Sequence, residues 1–196
     1  MKYCEKDFVE GTRKILNARK RRIIESSSLA RAAVLVPLFK KGEDCHIIFT
    51  KRTDTVRYHK GEISFPGGVF DEGDLELQRT ALREAFEEIG LKENDVQIVG
   101  VLDDIVTVSQ FIVTPFVGMF PYPYPFKLSP VEIAELIEVP ISSLLEENCF
   151  SEREIIRGTR KEVVYAYQYE NHIIWGATAR ILRQFLDLTQ NPARES

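Results

Sequence analysis

The segment from Gly67 to Leu91 restricts the fold more than any other part of this chain, because it joins a glycine turn to a helix whose two sides differ in chemistry. At about 100° per residue, Leu82, Ala85, Phe86 and Ile89 gather on one side, and Glu84, Glu87 and Glu88 on the other. The apolar side needs a core to lie on, and the acidic side needs solvent or a cleft. Gly90 is placed to end the helix in a left-handed cap. Carboxylates this close repel one another unless water or a cation compensates them. Glutamate oxygens are hard ligands that suit Mg²⁺ or Mn²⁺ rather than Zn²⁺. An acidic triplet alone is more often a solvated face than a metal site, so its surroundings must decide.

Around that helix the pattern predicts alternating strands and helices. Ala32 to Phe39 reads as a buried strand, with Pro37 suggesting a sheet edge or bulge. The turn Lys41-Gly42-Glu43-Asp44 returns the chain as a second strand from Cys45 to Arg52. Glu62 to Phe65 is short and extended, Leu75 to Ile89 is the acidic helix, and Val96 to Leu102 and Phe111 to Gly118 are strands. The run Pro121-Tyr122-Pro123-Tyr124-Pro125-Phe126 breaks regular structure and is expected to form an ordered loop beside a substrate cleft. Val131 to Glu138 reads as a short helix with Pro130 at its start. Arg160 to Glu170 and Ile173 to Trp175 are expected strands, and Ala177 to Leu188 a closing amphipathic helix. Strands alternating irregularly with a few helices fit the fold class α/β (α+β), a mixed α/β sandwich.

Residues 1–30 are expected to carry a basic amphipathic helix, about Lys6 to Ser26, packed on a single domain formed by 31–196. Phe8, Ile15, Leu16 and Ile23 supply its apolar stripe, ringed by Arg13, Lys14, Arg19, Lys20, Arg21 and Arg22. Such a helix serves as a surface element or as an electrostatic lure for a polyphosphate. The net charge of −4 argues against a general nucleic-acid binder. Three dispersed cysteines, Cys4, Cys45 and Cys149, suggest reduced thiols rather than a disulfide framework. No apolar run is long enough for a membrane span, Met1 to Glu25 lacks a signal-peptide core, and the expected location is cytoplasmic.

The helix and its approach resemble the signature of the Nudix hydrolase superfamily. Gly68 stands at the pattern's glycine, Asp74 at its acid, and Arg83 to Leu91 matches the block Arg-Glu-aliphatic-x-Glu-Glu-x-Gly-aliphatic throughout. Asp74 stands where glutamate is usual, and eight residues rather than seven separate it from Arg83. A second stretch, Ile48-Phe49-Thr50-Lys51-Arg52-Thr53 with Arg57, Gly61 and Phe65-Pro66-Gly67-Gly68, is similar to the motif preceding the Nudix box in coenzyme A pyrophosphatases. Gly100 to Asp104, Val113 to Gly118 and Ile174 to Ala179 are similar to that subfamily too, so the resemblance covers most of the chain after about Ala32.

The resemblance implies a Nudix fold, a central mixed sheet sandwiched between helices. It also implies Mg²⁺-dependent hydrolysis (Mn²⁺ as a substitute) of the diphosphate in coenzyme A or acyl-CoA, giving adenosine 3',5'-bisphosphate and (acyl-)4'-phosphopantetheine. It makes Glu84 and Glu88 metal ligands, with Glu87 a third ligand or acting through a bound water, and Arg83 their orienting partner. Glu132 is a candidate general base, with Glu88 the alternative. Arg52 and Arg57 are candidates for phosphate binding, Gly67 and Gly68 for a tight turn beside the metal, and Tyr122, Tyr124 and Phe126 for stacking on adenine. Rival readings are another nucleoside diphosphate derivative as substrate, such as ADP-ribose or a dinucleotide, and a non-catalytic nucleotide sensor. The partner in every case is a small nucleotide, and the sequence is compatible with a homodimer.

Overall fold

Long runs of β-branched and aromatic residues, each too apolar for a surface, build the sheet on which the acidic helix rests. The computed structural model describes residues 6–54, 61–157 and 160–190. Strand β1 (Ala30–Lys41) is the spine of the larger sheet. It pairs antiparallel with β2 (Asp44–Arg52) and with the short β4 (Gly67–Val69), and parallel with β7 (Phe111–Met119). β3 (Ile63–Ser64) and β8 (Ile133–Pro140) extend the β2 side, while β5 (Gln97–Val101) and β6 (Ile105–Val106) pair with β7. A separate three-stranded antiparallel sheet has the order β11 (His172–Trp175), β10 (Arg160–Tyr169), β9 (Phe150–Arg157).

Helices lie against the sheet. The acidic helix, α2 (Leu77–Ile89), packs on β1 and β4, and α1 (Lys6–Ala18) packs on β5. A single turn, α3 (Ile141–Leu144), follows β8, and α4 (Gly176–Gln190) closes the chain against β10 and β11. One core cluster includes Leu16, Val36, Phe49, Val117, Ile137 and Phe185; a second, under α2, includes Ala33, Leu35, Phe39, Ala81, Ala85 and Ile89. The expected central mixed sheet with flanking helices is what the chain forms.

Several local expectations are corrected. Residues 131–138 are not helical: one turn closes at Ser129, whose carbonyl accepts from the amides of Glu132 and Ile133, and the chain then enters β8. Glu, Ala and Leu there favour a helix intrinsically, but Ile133, Ile137 and Val139 are buried by pairing with β2, and tertiary burial overrides propensity. Pro37 lies inside the central strand rather than at an edge. The β2 register begins only at Leu38, so the missing N–H interrupts no ladder there.

The N-terminal helix stops at Ala18, and the arginines that follow run as a non-helical segment. Arg19 donates to Asp103, the Arg22 amide donates to Asp103, and the Ile24 amide donates to Asp104. Arg21 and Arg31 also lie near the fully buried Asp104. This basic stretch is thus largely spent on clamping the chain to the loop after β5. Cys45 is disulfide-bonded, unlike the reduced thiols expected, and Cys149 is free and buried. Spacing along a chain does not reveal which Cα atoms come within bonding range. β9 had no counterpart among the strands expected from the sequence.

Candidate active site

The site begins with the two glycines of β4, which let a strand and a helix approach where no side chain fits. Gly67 and Gly68 pair with Val34 and Ala33 of β1. A Cβ on Gly67 would collide with the backbone of Ala33 and Val34, and one on Gly68 would fall on the Glu84 carboxylate. β4 is thereby pressed between β1 and the acids of α2. At the other end of the helix Gly90 takes φ +73°, the left-handed cap expected, and its amide donates to the Phe86 carbonyl at 2.9 Å.

Between β4 and α2 the chain makes a short 3₁₀ turn, Glu72–Asp74, closed by reciprocal bonds between Asp71 and Asp74. Leu75 then turns at φ +63°. This places Asp74, buried, beneath Arg83: the guanidinium donates to it through Nε at 2.8 Å and Nη2 at 3.0 Å, and Thr80 Oγ1 donates at 2.8 Å. Arg83 holds the Asp74 carboxyl well below the usual carboxylate range, and Asp74 in turn raises the pKa of Arg83. The shorter acid with one extra loop residue thus still reaches the arginine. The remaining arm of Arg83, Nη1, donates to Glu84 at 2.8 Å and Glu87 at 3.3 Å.

Glu88 corrects the sequence reading most sharply. It was expected to face away from the core, yet it is only 3% exposed, whereas Phe86, expected inside, is 54% exposed. The small residues Ala81 and Ala85 let α2 settle closely on the sheet about their own line, which turns Phe86 outward and Glu88 under the cleft. Glu88 Oε1 lies 3.8 Å from Arg52 Nη1, and its buried Oε2 has no hydrogen-bond partner. Burial pushes the Glu88 carboxyl up to about 8; the Arg52 charge and the Gly67 amide oppose this, and the negative charges of Glu84 and Glu132 add to it. Burial also raises Glu84, which Arg83 pulls back down.

A cavity of about 790 Å³ collects these groups: Arg52 from β2, Gly67 and Gly68 from β4, Asp74, Arg83 and Glu84 from α2 and its approach, and Glu132 from the turn before β8. The Glu132 carbonyl accepts from the Thr53 amide at 2.9 Å, tying that turn to the end of β2. Among the described residues, no three carboxylate, imidazole or thiol groups already form a metal cage. The donor set nevertheless fits a hard divalent cation. A partnerless, buried carboxylate oxygen lies in a cluster whose members repel one another, and every donor is an oxygen.

Residues 29–157 match the NUDIX domain family. The chain belongs to that family. A Nudix hydrolase NudL of Photorhabdus laumondii, uncharacterized, is 36% identical over 165 residues, covering 84% of this chain and 88% of its own. A NudL of Yersinia pestis is 39% identical over 158 residues, covering 81% and 79%. Among solved structures, a MutT/nudix family protein from Enterococcus faecalis aligns over 91% of this chain and 72% of its own, with TM-score 0.53 at 11% identity. A NUDIX hydrolase from Alicyclobacillus acidocaldarius aligns over 60% and 82%, with TM-score 0.50 at 21% identity. Both share the fold. The protein is a Nudix hydrolase, of the class that acts on pyrophosphate bonds.

In this Nudix hydrolase the residues singled out by sequence do not all meet. Arg52, Gly67, Gly68, Arg83, Glu84 and Glu132 line one cavity, with Glu88 beneath it beside Arg52. Glu87 is more than half exposed and joins the cluster through Arg83. Arg57 lies outside the described residues. Tyr122, Tyr124 and Phe126 are not at the site. Tyr122 stacks on Phe39 at 4.6 Å, and Tyr124 and Phe126 meet Phe120 edge-on. The Tyr124 hydroxyl donates to Asp95 at 2.8 Å and accepts from the Lys92 amide. Proline punctuation told of a loop, but not that its rings complete the core under α2.

Proposed function

We propose that this Nudix hydrolase is a Mg²⁺-dependent pyrophosphatase that cleaves the diphosphate of coenzyme A or acyl-CoA, releasing adenosine 3',5'-bisphosphate and (acyl-)4'-phosphopantetheine. The observation that carries the reading is the buried Glu88 carboxylate, whose Oε2 has no hydrogen-bond partner, beside Arg52 and near the charges of Glu84 and Glu132, which line the cavity with that arginine. A diphosphate entering a cavity walled by carboxylates meets repulsion, which a divalent cation held by Glu84 and Glu88, with Glu87 at the rim, would remove. When bound, such an ion polarises phosphoryl oxygens and lowers the pKa of bound water.

The chain's own residues do the rest. Arg52 presents a planar fork suited to phosphate oxygens. Arg83, anchored on Asp74, fixes the orientation of Glu84 and Glu87. Glu132, which lines the cavity on a turn fastened to β2, is the base we assign to take a proton from the attacking water, with Glu88 as the alternative. The choice of coenzyme A rests on the motif from Ile48 to Gly68. Every group invoked comes from one chain, so a monomer and a homodimer serve alike.

The test is hydrolysis of CoA, ADP-ribose and a dinucleotide side by side with Mg²⁺, the products being separated chromatographically. The expected result is highest kcat/KM for CoA, with adenosine bisphosphate and phosphopantetheine as products. Higher efficiency on another substrate would overturn the CoA assignment, and no turnover with Mg²⁺ or Mn²⁺ would overturn the catalytic reading.

A further inference from the structure

A second cavity, of about 570 Å³, adjoins the first and shares Arg52, Gly67, Gly68 and Val69 with it. Its chemistry is different. Val34, Phe65, Phe111, Val113 and Ile181 contribute apolar wall, and Trp175 and Val108 line it while remaining 48% and 72% exposed. Large apolar side chains left in water beside a concave surface mark a place where an apolar ligand is received. Among its described lining residues, Arg52 and Glu62 are the charged ones, and the other polar side-chain groups include the hydroxyls of Ser64, Thr107, Ser109 and Thr178. The cavity is assembled from distant parts of the chain, since β1, β3, β4, β7 and the start of α4 all contribute to it.

We infer that this cavity receives the thioester arm of the substrate and buries its acyl chain, making acyl-CoA rather than free CoA the preferred substrate class. The inference rests on the CoA reading above. A diphosphate at Arg52 and the β4 glycines has this compartment as its immediate neighbour, because the two cavities share that wall. The arm that leaves the diphosphate carries amides, which the hydroxyls can meet, and ends in a chain that only apolar surface rewards.

The experiment compares kcat/KM for CoA, butanoyl-CoA and octanoyl-CoA in the wild-type protein and in Trp175→Ala and Ala177→Phe. A fully buried methylene contributes about 0.8 kcal/mol, or about fourfold, so partial burial of the four added by octanoyl over butanoyl predicts at least a tenfold rise. Removing the half-exposed indole, or filling the cavity from the first turn of α4, should cut that octanoyl-to-butanoyl ratio below about threefold. Turnover of CoA with a flat or falling response to chain length would overturn the subsite while leaving the CoA reading intact. Equal proportional losses on all three substrates in Trp175→Ala would show that the indole acts on a part common to all three rather than on the acyl chain, and would overturn the acyl-chain assignment too. Failure of the wild type on every CoA species, with turnover of another nucleoside diphosphate, would overturn the CoA reading itself and this inference with it.

Discussion

Replacing Glu88 by glutamine tests whether the protein stores unfavourable free energy at the site. The Glu88 carboxyl is pushed up to about 8 from an ordinary 4.5. A group whose folded pKa is raised contributes stability that is fully present below the unfolded value and is lost as pH climbs through the folded one. The relevant window is therefore pH 4.5 to 8. At about 1.36 kcal/mol per unit, the separation of 3.5 units between the two values corresponds to about 5 kcal/mol lost by alkaline pH. Glutamine keeps the shape and never ionises. Metal-free Glu88→Gln should thus match the wild type within about 1 kcal/mol near pH 5, and exceed it by about 2–5 kcal/mol at pH 8.5. Urea unfolding in the presence of a chelator, at pH 5, 7 and 8.5, measures this directly. Saturating Mg²⁺ should stabilise the wild type and not the variant, by mass action on the folded state, and the variant should lose turnover. A stability gain independent of pH, or a loss at pH 8.5, would refute the argument that burial makes ionisation of Glu88 costly in the folded protein.

Gly68→Ala should reduce kcat/KM by about a hundredfold with a stability change below about 1 kcal/mol, because the new methyl displaces only the tip of Glu84. Gly67→Ala meets backbone instead and should show the reverse emphasis, a clear loss of Tm. Asp74→Asn should cost about 1–3 kcal/mol by removing the charged partner of Arg83. Its difference from wild type in urea titrations should persist at neutral pH and shrink as pH falls through the depressed Asp74 pKa. Arg52→Lys should raise KM about tenfold with a smaller change in kcat, since a point charge replaces a planar fork; an unchanged KM would remove Arg52 from substrate binding.

The amphipathic order of residues 80–90 and the glycine cap determined from sequence alone that an acidic helix would lie on a core, whereas the tight turn expected at Gly67 and Gly68 is instead the short strand β4, paired with β1. Period and cap are local and need no distant partner. The resemblance of Gly68 to Leu91 then pointed to the chemistry. What sequence could not decide was rotation about the helix axis, which hangs on how closely Ala81 and Ala85 approach β1, and this is why Glu88 is buried and Phe86 exposed. It also missed β8, because a segment of helix formers became a strand once β2 offered an open edge. Only the tertiary structure brought Glu132 and Arg52 to the acids, since their turn and strand meet through pairing across about eighty residues of chain. It alone assembled the apolar cavity around Trp175, whose walls are short runs of residues far apart along the chain. Local order is written in neighbouring residues, whereas a site made by long-range packing becomes visible only when distant surfaces close on one another.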